Sequence, residues 1–171
     1  MAVLPIVIVP DARLKTKARP VTSIDTRIRR LMDDMLETMY AAPGIGLAAP
    51  QVGVLERVVV LDVADKDEPA QPMRMVNPEI LWASEDRVIL EQEGCLSIPD
   101  LYADVARPEQ IRMRYLDEKG ETREIEADGL LARCIQHEID HLDGILFIDH
   151  LSKLKRDMFL RKMQKVKRAG S

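Results

Sequence analysis

Apolar side chains recur at steps of three and four residues in two stretches of the chain, and each predicts an amphipathic helix. The first covers about residues 24–42, with Ser23 or Asp25 as the N-cap and Pro43-Gly44 as the stop. Its apolar positions are Ile24, Ile28, Leu31, Met35, Leu36 and Met39. The second covers residues 152–168, with apolar positions at Leu154, Met158, Phe159, Met163 and Val166. A third helix is expected between Asp128, as its N-cap, and Gly144.

Shorter patterns between these helices predict β strands. The β-branched run at 58–63 is typical of a buried strand. Two more strands are expected at 73–83 and 87–92, across a turn at 84–86. Segments 110–116 and 121–126 flank a turn and predict a hairpin. This order predicts an α+β fold in which mainly antiparallel sheets pack around the central helix, with an N-terminal and a C-terminal helix beside them.

The length of 171 residues fits a single domain, residues 1–171, that buries its core without disulfides or structural metals. Two cysteines do not make a secreted disulfide framework, so a reducing cytosol is expected. No apolar run is long enough to span a membrane, and the apolar start lacks a basic region. We therefore expect a soluble, cytoplasmic protein with no membrane partner.

The net charge of −4 is distributed unevenly. Residues 151–171, here called the basic C-terminal segment, carry eight lysines and arginines against one aspartate, a charge of +7. The other residues therefore carry −11. Such a segment on an acidic body indicates either an anionic partner or a solvated helix face.

The segment from Gln136 to Gly144 contains the pattern His-Glu-x-x-His. On a helix, positions four apart lie about 40° apart around the axis and about 6 Å along it. His137 and His141 can therefore offer two imidazole nitrogens to one metal ion. Glu138 lies beside the first histidine, where a carboxylate can take a proton from the attacking water. Because only three histidines occur in the chain, this spacing favours a metal site over two structural histidines.

A catalytic site of this type normally has three protein ligands. A metzincin would need a histidine at position 147, which is Phe147, and a thermolysin-like site would need a glutamate after His141, where none occurs. His150 has no motif around it, and Cys134 lies among apolar neighbours, as core cysteines do. Cys95 follows a predicted strand and is the strongest candidate. A thiolate and two imidazoles suit Fe(II), Zn(II) or Ni(II).

Residues 44–53 combine three glycines with small side chains and one amide. No Lys-Ser or Lys-Thr follows, so the segment is not a phosphate-binding loop. Two interpretations remain: a packed turn, or a substrate-binding loop in which Gln51 supplies a polar group.

Three segments together resemble the signature motifs of the peptide deformylase family. They are GIGLAAPQ at 44–51, EGCLSIP at 93–99 and QHEIDHLDG at 136–144. Their order and wide spacing are similar as well, so the resemblance covers nearly the whole chain. Agreement of three motifs is more specific than His-Glu-x-x-His alone.

The resemblance implies a metal-dependent hydrolase that removes the N-formyl group from the initiator methionine of nascent chains and releases formate. The implied metal ligands are Cys95, His137 and His141. Glu138 would act as the general base. The side-chain amide of Gln51 and the backbone N–H of Leu96 would stabilise the oxyanion.

The resemblance also implies how a peptide binds. Ile45, Gly46 and Gly94 would pair with its backbone as an added strand. The methionine pocket would be lined by Ile45, Leu130, Arg133, Cys134 and His137. Two positions depart from the pattern: Arg133 stands where some relatives have an aliphatic residue, and Tyr102 where some have an arginine.

Thiolate ligation and the resemblance both favour Fe(II), with Zn(II), Ni(II) or Co(II) as alternatives. In the resembling family the C-terminal segment can dock on the ribosome, which adds the ribosome to N-formylmethionyl peptides as an implied partner. Two other functions stay open. A His-Glu-x-x-His metallopeptidase predicts a downstream histidine or glutamate ligand, and a catalytically silent binding module predicts a broken base or ligand.

Overall fold

Three α helices and seven β strands are formed by residues 2–169, which are those that the computed structural model describes. The helices are α1 (Thr26–Ala41), α2 (Gly129–Leu142) and α3 (Lys153–Ala169). The strands are β1 (Gly46–Ala48), β2 (Val58–Leu61), β3 (Met73–Ala83), β4 (Val88–Cys95), β5 (Ile98–Pro108), β6 (Gln110–Leu116) and β7 (Thr122–Asp128). They form a five-stranded antiparallel sheet of order β1-β2-β3-β6-β7 and a two-stranded antiparallel sheet of β4 and β5. The predicted α+β fold with antiparallel sheets is confirmed.

Strand β2 explains how the larger sheet is packed. Its residues are all buried, and successive side chains of a strand point to opposite faces. Val58 and Val60 pack in a cluster with the apolar face of α1. Val59 and Leu61 pack in another cluster with α2. The continuous apolar run therefore arises because helices cover both faces of the sheet.

Helix α1 follows its sequence signals closely. The Asp25 side chain caps it by accepting a hydrogen bond from the Ile28 N–H at 3.1 Å, so Asp25 rather than Ser23 is the N-cap. The helix ends at Ala41, just before Pro43. Its buried face is formed mainly by apolar residues at helical spacing. The predicted helix at 24–42 is thus confirmed to within two residues at each end.

The smaller sheet differs from the sequence prediction. The strands predicted at 73–83 and 87–92 both form, but β3 pairs with β2 and β6, whereas β4 pairs with β5. The turn at 84–86 therefore carries the chain from one sheet to the other. Strand β5 was not predicted, since Pro99, Asp100 and Asp104 weaken its strand pattern. The hairpin of β6 and β7 is confirmed.

Helix α2 lies between the two sheets. Its stripe of Ala132, Ile135, Ile139 and Leu142 packs on the larger sheet. Asp128 occupies the N-cap position without making a capping hydrogen bond through its side chain. Gly144, at φ 74°, follows the end of the helix, where an added Cβ would lie 2.7 Å from the Lys15 backbone.

Helix α3 is attached through a third apolar cluster. Met163, Phe159 and Leu160 pack there with Phe147 of the 3-10 helix Phe147–His150. Three other apolar residues of the predicted face are exposed: Leu154, Met158 and Val166. None of the helices in the described part of the chain has the length and apolar content that crossing a membrane requires.

Candidate active site

Cys95, His137 and His141 come together although they lie on two different elements. Cys95 is the last residue of β4, and the histidines lie one turn apart on α2. The Cys95 Sγ is 3.3 Å from His141 Nε2, which is 3.2 Å from His137 Nε2. All three candidate ligand atoms lie within 4.8 Å of one another, so the structure contains a Cys-His-His metal-binding cluster.

The cluster fits a single divalent ion. Metal–nitrogen bonds of about 2.0–2.1 Å and metal–sulfur bonds of about 2.3 Å place tetrahedral ligand atoms about 3.3–3.6 Å apart. The distances from His141 Nε2 to Cys95 Sγ and to His137 Nε2, 3.3 and 3.2 Å, are close to this range. Two buried polar atoms beside the cluster, His141 Nδ1 and Glu138 Oε2, have no hydrogen-bond partner among the described residues. Native proteins rarely leave such groups unpaired unless they serve binding or catalysis.

Glu93 orients the first histidine and was not singled out from the sequence. Its Oε1 accepts a hydrogen bond from His137 Nδ1 at 2.8 Å, which leaves Nε2 to face the cluster. Arg107 and Arg133 also donate to this carboxylate, at distances from 2.5 to 2.9 Å. Burial raises the pKa of Glu93, but hydrogen bonds from His137 and Arg107 lower it to about 2. Glu93 is therefore an anion that fixes the imidazole.

A sequence signal for Glu93 did exist. It lies two residues before Cys95, and regular alternation along a strand predicts both side chains on one face. Arg107 had no such signal, because it comes from the unpredicted strand β5. Arg107 Nη1 also donates to Asp140 on α2 at 2.9 Å, which joins the smaller sheet to the helix.

Burial and neighbouring charges set the ionisation of the α2 side chains. Burial raises the pKa of Glu138 to about 7, although the positive charge of His137 opposes the shift. Burial also lowers the pKa of His141 well below its usual range, and His137 lowers it further. Burial lowers the pKa of His137 too, but hydrogen bonds with Cys95 and Glu93 outweigh it and raise the pKa to about 10. Glu138 is thus a carboxyl group whose pKa suits proton transfer near neutral pH.

Gln51 is held in one orientation beside the thiol. Its Oε1 accepts a hydrogen bond from the Ala48 N–H at 3.0 Å. Its Nε2 must therefore face the other way, where it lies 3.2 Å from Ser97 Oγ and 3.4 Å from Cys95 Sγ. Leu96, which follows Cys95 directly, is half-buried and lines the same cavity.

A cavity of about 720 Å³ opens over this cluster. It is lined by Gln51, Cys95, Leu96, His137 and Glu138, whereas His141 is buried and does not line it. Every residue predicted to contact the peptide also lines it: Ile45, Gly46, Gly94, Leu130, Arg133 and Cys134. Gly46 permits close approach of β1 to α2, since an added Cβ would lie 2.8 Å from the Cys134 Sγ.

Two residues that depart from the resembling pattern have defined positions. The Tyr102 ring packs on Gly94, where an added Cβ would lie 2.5 Å from it. Arg133 lines the cavity, but its guanidinium is buried and binds Glu93 together with the carbonyl oxygens of Val105 and Ile89.

Neither alternative ligand joins the cluster. His150 Nε2 lies 2.8 Å from an Asp140 oxygen. The Cys134 Sγ lies 3.7 Å from the Ile45 carbonyl oxygen, and burial raises the pKa of this thiol well above its usual range. Among the described residues, Cys95 is thus the cysteine that joins the two histidines.

Known proteins resemble this chain over nearly its whole length. A sequence profile described as polypeptide deformylase matches residues 3–157. A peptide deformylase of Methylocella silvestris is 61% identical over 96% of this chain and 85% of that protein. One of Phenylobacterium zucineum is 56% identical over 99% of this chain and 100% of that protein. The crystal structure of peptide deformylase from Ehrlichia chaffeensis matches with a TM-score of 0.93 and 43% identity over 99% of both chains. A structure of that protein in complex with actinonin matches with the same TM-score and 45% identity, over 98% of this chain and 99% of that one.

Proposed function

The chain belongs to the polypeptide deformylase family, and from this membership we propose that it removes the N-formyl group from formyl-methionine at the start of newly made polypeptides. The products are formate and a free amine. The observation that carries the proposal is the convergence of Cys95, His137 and His141 with Glu138 in one cavity. Nascent chains are made in the cytoplasm, so we place the protein there, acting as one domain.

The residues around the metal-binding cluster would each have a separate part in this reaction. A divalent metal held by the cluster would supply Lewis acidity, which polarises the formyl carbonyl and makes water more acidic. Glu138 would take the proton of the attacking water and pass it to the leaving nitrogen as the C–N bond breaks. Its raised pKa, about 7, supports both steps. The Gln51 amide and the Leu96 N–H would donate to the oxyanion that forms.

Two unpaired strand edges support peptide binding by strand addition. In the described sheets, β1 is an edge strand of the larger sheet and β4 pairs only with β5. Ile45 and Gly46 lie at the first edge and Gly94 at the second, and all three line the cavity. An extended peptide would pair with these edges, and its methionine side chain would enter the cavity beside Leu130 and Cys134.

The donor set supports Fe(II) as the metal, because one thiolate with two imidazoles is a soft set. Zn(II), Ni(II) and Co(II) are alternatives with the same ligands. Anaerobic purification with metal analysis tests this choice, and activity lost on exposure to air and recovered with added Fe(II) is the expected result. Zn(II) bound stoichiometrically in active, air-stable protein would contradict it.

The basic C-terminal segment supports the ribosome as a partner. Five of its basic residues are exposed on α3: Lys153, Lys155, Arg161, Lys162 and Lys165. Deleting the helix would remove Met163 and uncover the rest of the third apolar cluster. Charge reversal of the five exposed residues is therefore the better test, and weaker co-sedimentation with ribosomes is expected. Unchanged co-sedimentation would contradict the partner.

Formate release from formyl-Met-Ala-Ser tests the activity itself. Anaerobic, Fe(II)-loaded protein should release formate, and Cys95→Ser and Glu138→Ala should not. Arg114→Leu, a substitution on β6 of the five-stranded sheet, should behave as the unsubstituted protein. No formate with stoichiometric metal bound would favour a binding module, and cleavage of an unformylated peptide would favour a metallopeptidase. Actinonin should inhibit, since a similar protein was solved in complex with it.

A further inference from the structure

Arg133 connects α2 to both strands of the smaller sheet. Its Nη1 donates to Glu93 Oε2 at 2.6 Å and to the Val105 carbonyl oxygen at 2.8 Å. Its Nη2 donates to the Ile89 carbonyl oxygen at 2.6 Å. Only 7% of the residue is exposed. Glu93 and Ile89 lie on β4 and Val105 lies on β5, so one guanidinium fixes three points of this sheet.

Helix α2 holds the Glu93 carboxylate at both of its oxygens. Oε1 accepts from His137 Nδ1 and Oε2 accepts from Arg133 Nη1. Arg133 and His137 are four residues apart, which makes them neighbours on one helix face. Together with the two bonds that Arg107 donates from β5, these contacts oppose rotation of the carboxylate about its last bond. The direction in which Glu93 meets the imidazole of His137 is therefore set by Arg133 as well.

The metal-binding cluster depends on the same connection. Cys95 comes from β4 and the histidines come from α2, so the 3.3 Å between Cys95 Sγ and His141 Nε2 requires a fixed position of strand against helix. Arg107 makes one link, from β5 to Asp140 on α2. Arg133 makes the reverse link, from α2 to β4 and β5.

We propose that Arg133 is a positioning residue of the metal centre, which directs His137 through Glu93 and keeps Cys95 within reach of the histidine pair. The proposal rests on the proposed function, because it takes this cluster to be the metal site. A residue that only lined the methionine pocket would change the KM for the peptide and leave metal binding unchanged. A positioning residue should change metal affinity and kcat, with KM nearly unchanged.

Titration of the full-length protein with Co(II), followed through thiolate-to-cobalt absorption, measures affinity and ligand geometry without turnover. Arg133→Leu should weaken Co(II) binding about tenfold, the lower end of the range for groups that support a metal ligand. It should also shift the absorption band and lower kcat for formyl-Met-Ala-Ser. Arg133→Lys keeps the charge but cannot reach three acceptors, so it should weaken binding as well. Arg114→Leu removes an arginine paired with two exposed carboxylates and is the matched control, with unchanged binding expected.

Repeating the Arg133→Leu measurement in a Glu93→Gln protein shows whether Arg133 acts through Glu93. In a Glu93→Gln protein, Arg133→Leu should weaken Co(II) binding much less, because the shared carboxylate is already altered. An undiminished effect would overturn the action through Glu93, because only the bonds to the Val105 and Ile89 carbonyl oxygens would then account for the loss. Unchanged Co(II) affinity with a raised KM in Arg133→Leu alone would overturn the whole proposal. If Arg133→Leu fails to fold, Arg133→Lys carries the same comparison. Absence of the thiolate band in the unsubstituted protein would instead contradict the proposed function, so the two failures are distinguishable.

Discussion

Helices α1 and α2 cover opposite faces of the same sheet, yet they bury different kinds of side chain. The buried residues of α1 are Ile28, Met32, Met35, Leu36, Thr38 and Met39. Besides its apolar stripe, α2 buries Arg133, Gln136, His137, Glu138 and His141. Burial of apolar area stabilises a fold, whereas a buried charge costs free energy unless it is paired. The buried face of α1 therefore serves stability, and the polar row of α2 serves the site.

The polar row is not uniform. Arg133 and His137 are bound by Glu93, so their burial is largely compensated. Glu138 is only 3% exposed, and its Oε2 has no hydrogen-bond partner in the described part of the chain. No hydrogen bond of that oxygen therefore stabilises the fold, and the oxygen is free to take part in the reaction.

The largest expected effect separates activity from stability on α2. Glu138→Gln keeps the shape of the side chain but removes the base, so kcat/KM should fall about 10²–10⁴-fold. The free energy of unfolding should stay the same or rise, because a costly buried carboxyl is lost. Formate release and denaturant unfolding measure the two quantities. A clearly destabilised Glu138→Gln protein would mean that the carboxyl also supports the fold.

On α1 the opposite result is expected. Met35 is fully buried in the cluster with β2, so Met35→Ala should lower the free energy of unfolding by about 2–5 kcal/mol. Its kcat/KM should be unchanged wherever the variant is folded. Met158→Ala on the exposed face of α3 is the control and should cost much less. Equal losses in the two variants would contradict the assignment of Met35 to the core.

The N-cap residues of α1 and α2 should differ in the same way, with a smaller effect on stability. Asp25 accepts a hydrogen bond from the first turn of α1, so Asp25→Ala should cost about 1 kcal/mol. Asp128 makes no such bond at the start of α2, and Asp128→Ala should cost clearly less. Thermal unfolding of both variants under one condition makes the comparison. A larger loss in Asp128→Ala would show that its side chain does cap α2.

The smallest expected effect is on the pH dependence of stability, through Asp62, which binds Tyr40 near the end of α1. Burial raises the pKa of Asp62, but hydrogen bonds from Tyr40 on α1 and from two backbone N–H groups lower it below its ordinary value. A lowered pKa contributes stability that is present above the unfolded value, about 3.9, and is lost as the pH falls through the folded value. Asp62→Asn should therefore lose less stability than the unsubstituted protein between neutral and acid pH. Parallel slopes in denaturant unfolding at several pH values would refute this.

Much of the fold could be predicted because its signals are local. The bounds of α1 follow from an apolar period, an N-cap and a Pro-Gly stop. The hairpin of β6 and β7 follows from a short turn between two strand patterns. Strand β5 and the partner of β4 could not be predicted in this way. Pairing between strands depends on packing against α2, and Pro99 and Asp100 hide the strand pattern locally.

The candidate site likewise has features that local sequence predicts and features that depend on tertiary contacts. By itself the sequence determined that His137 and His141 share one helix face and that Cys95 lies just after a strand, since both inferences depend on residues a few positions apart. Only the tertiary structure decided that Glu93 binds His137 and that Arg133 turns its charge toward β4 and β5. Those contacts join side chains from separate elements. Their geometry is set by how a helix and a sheet pack together, which no local spacing determines.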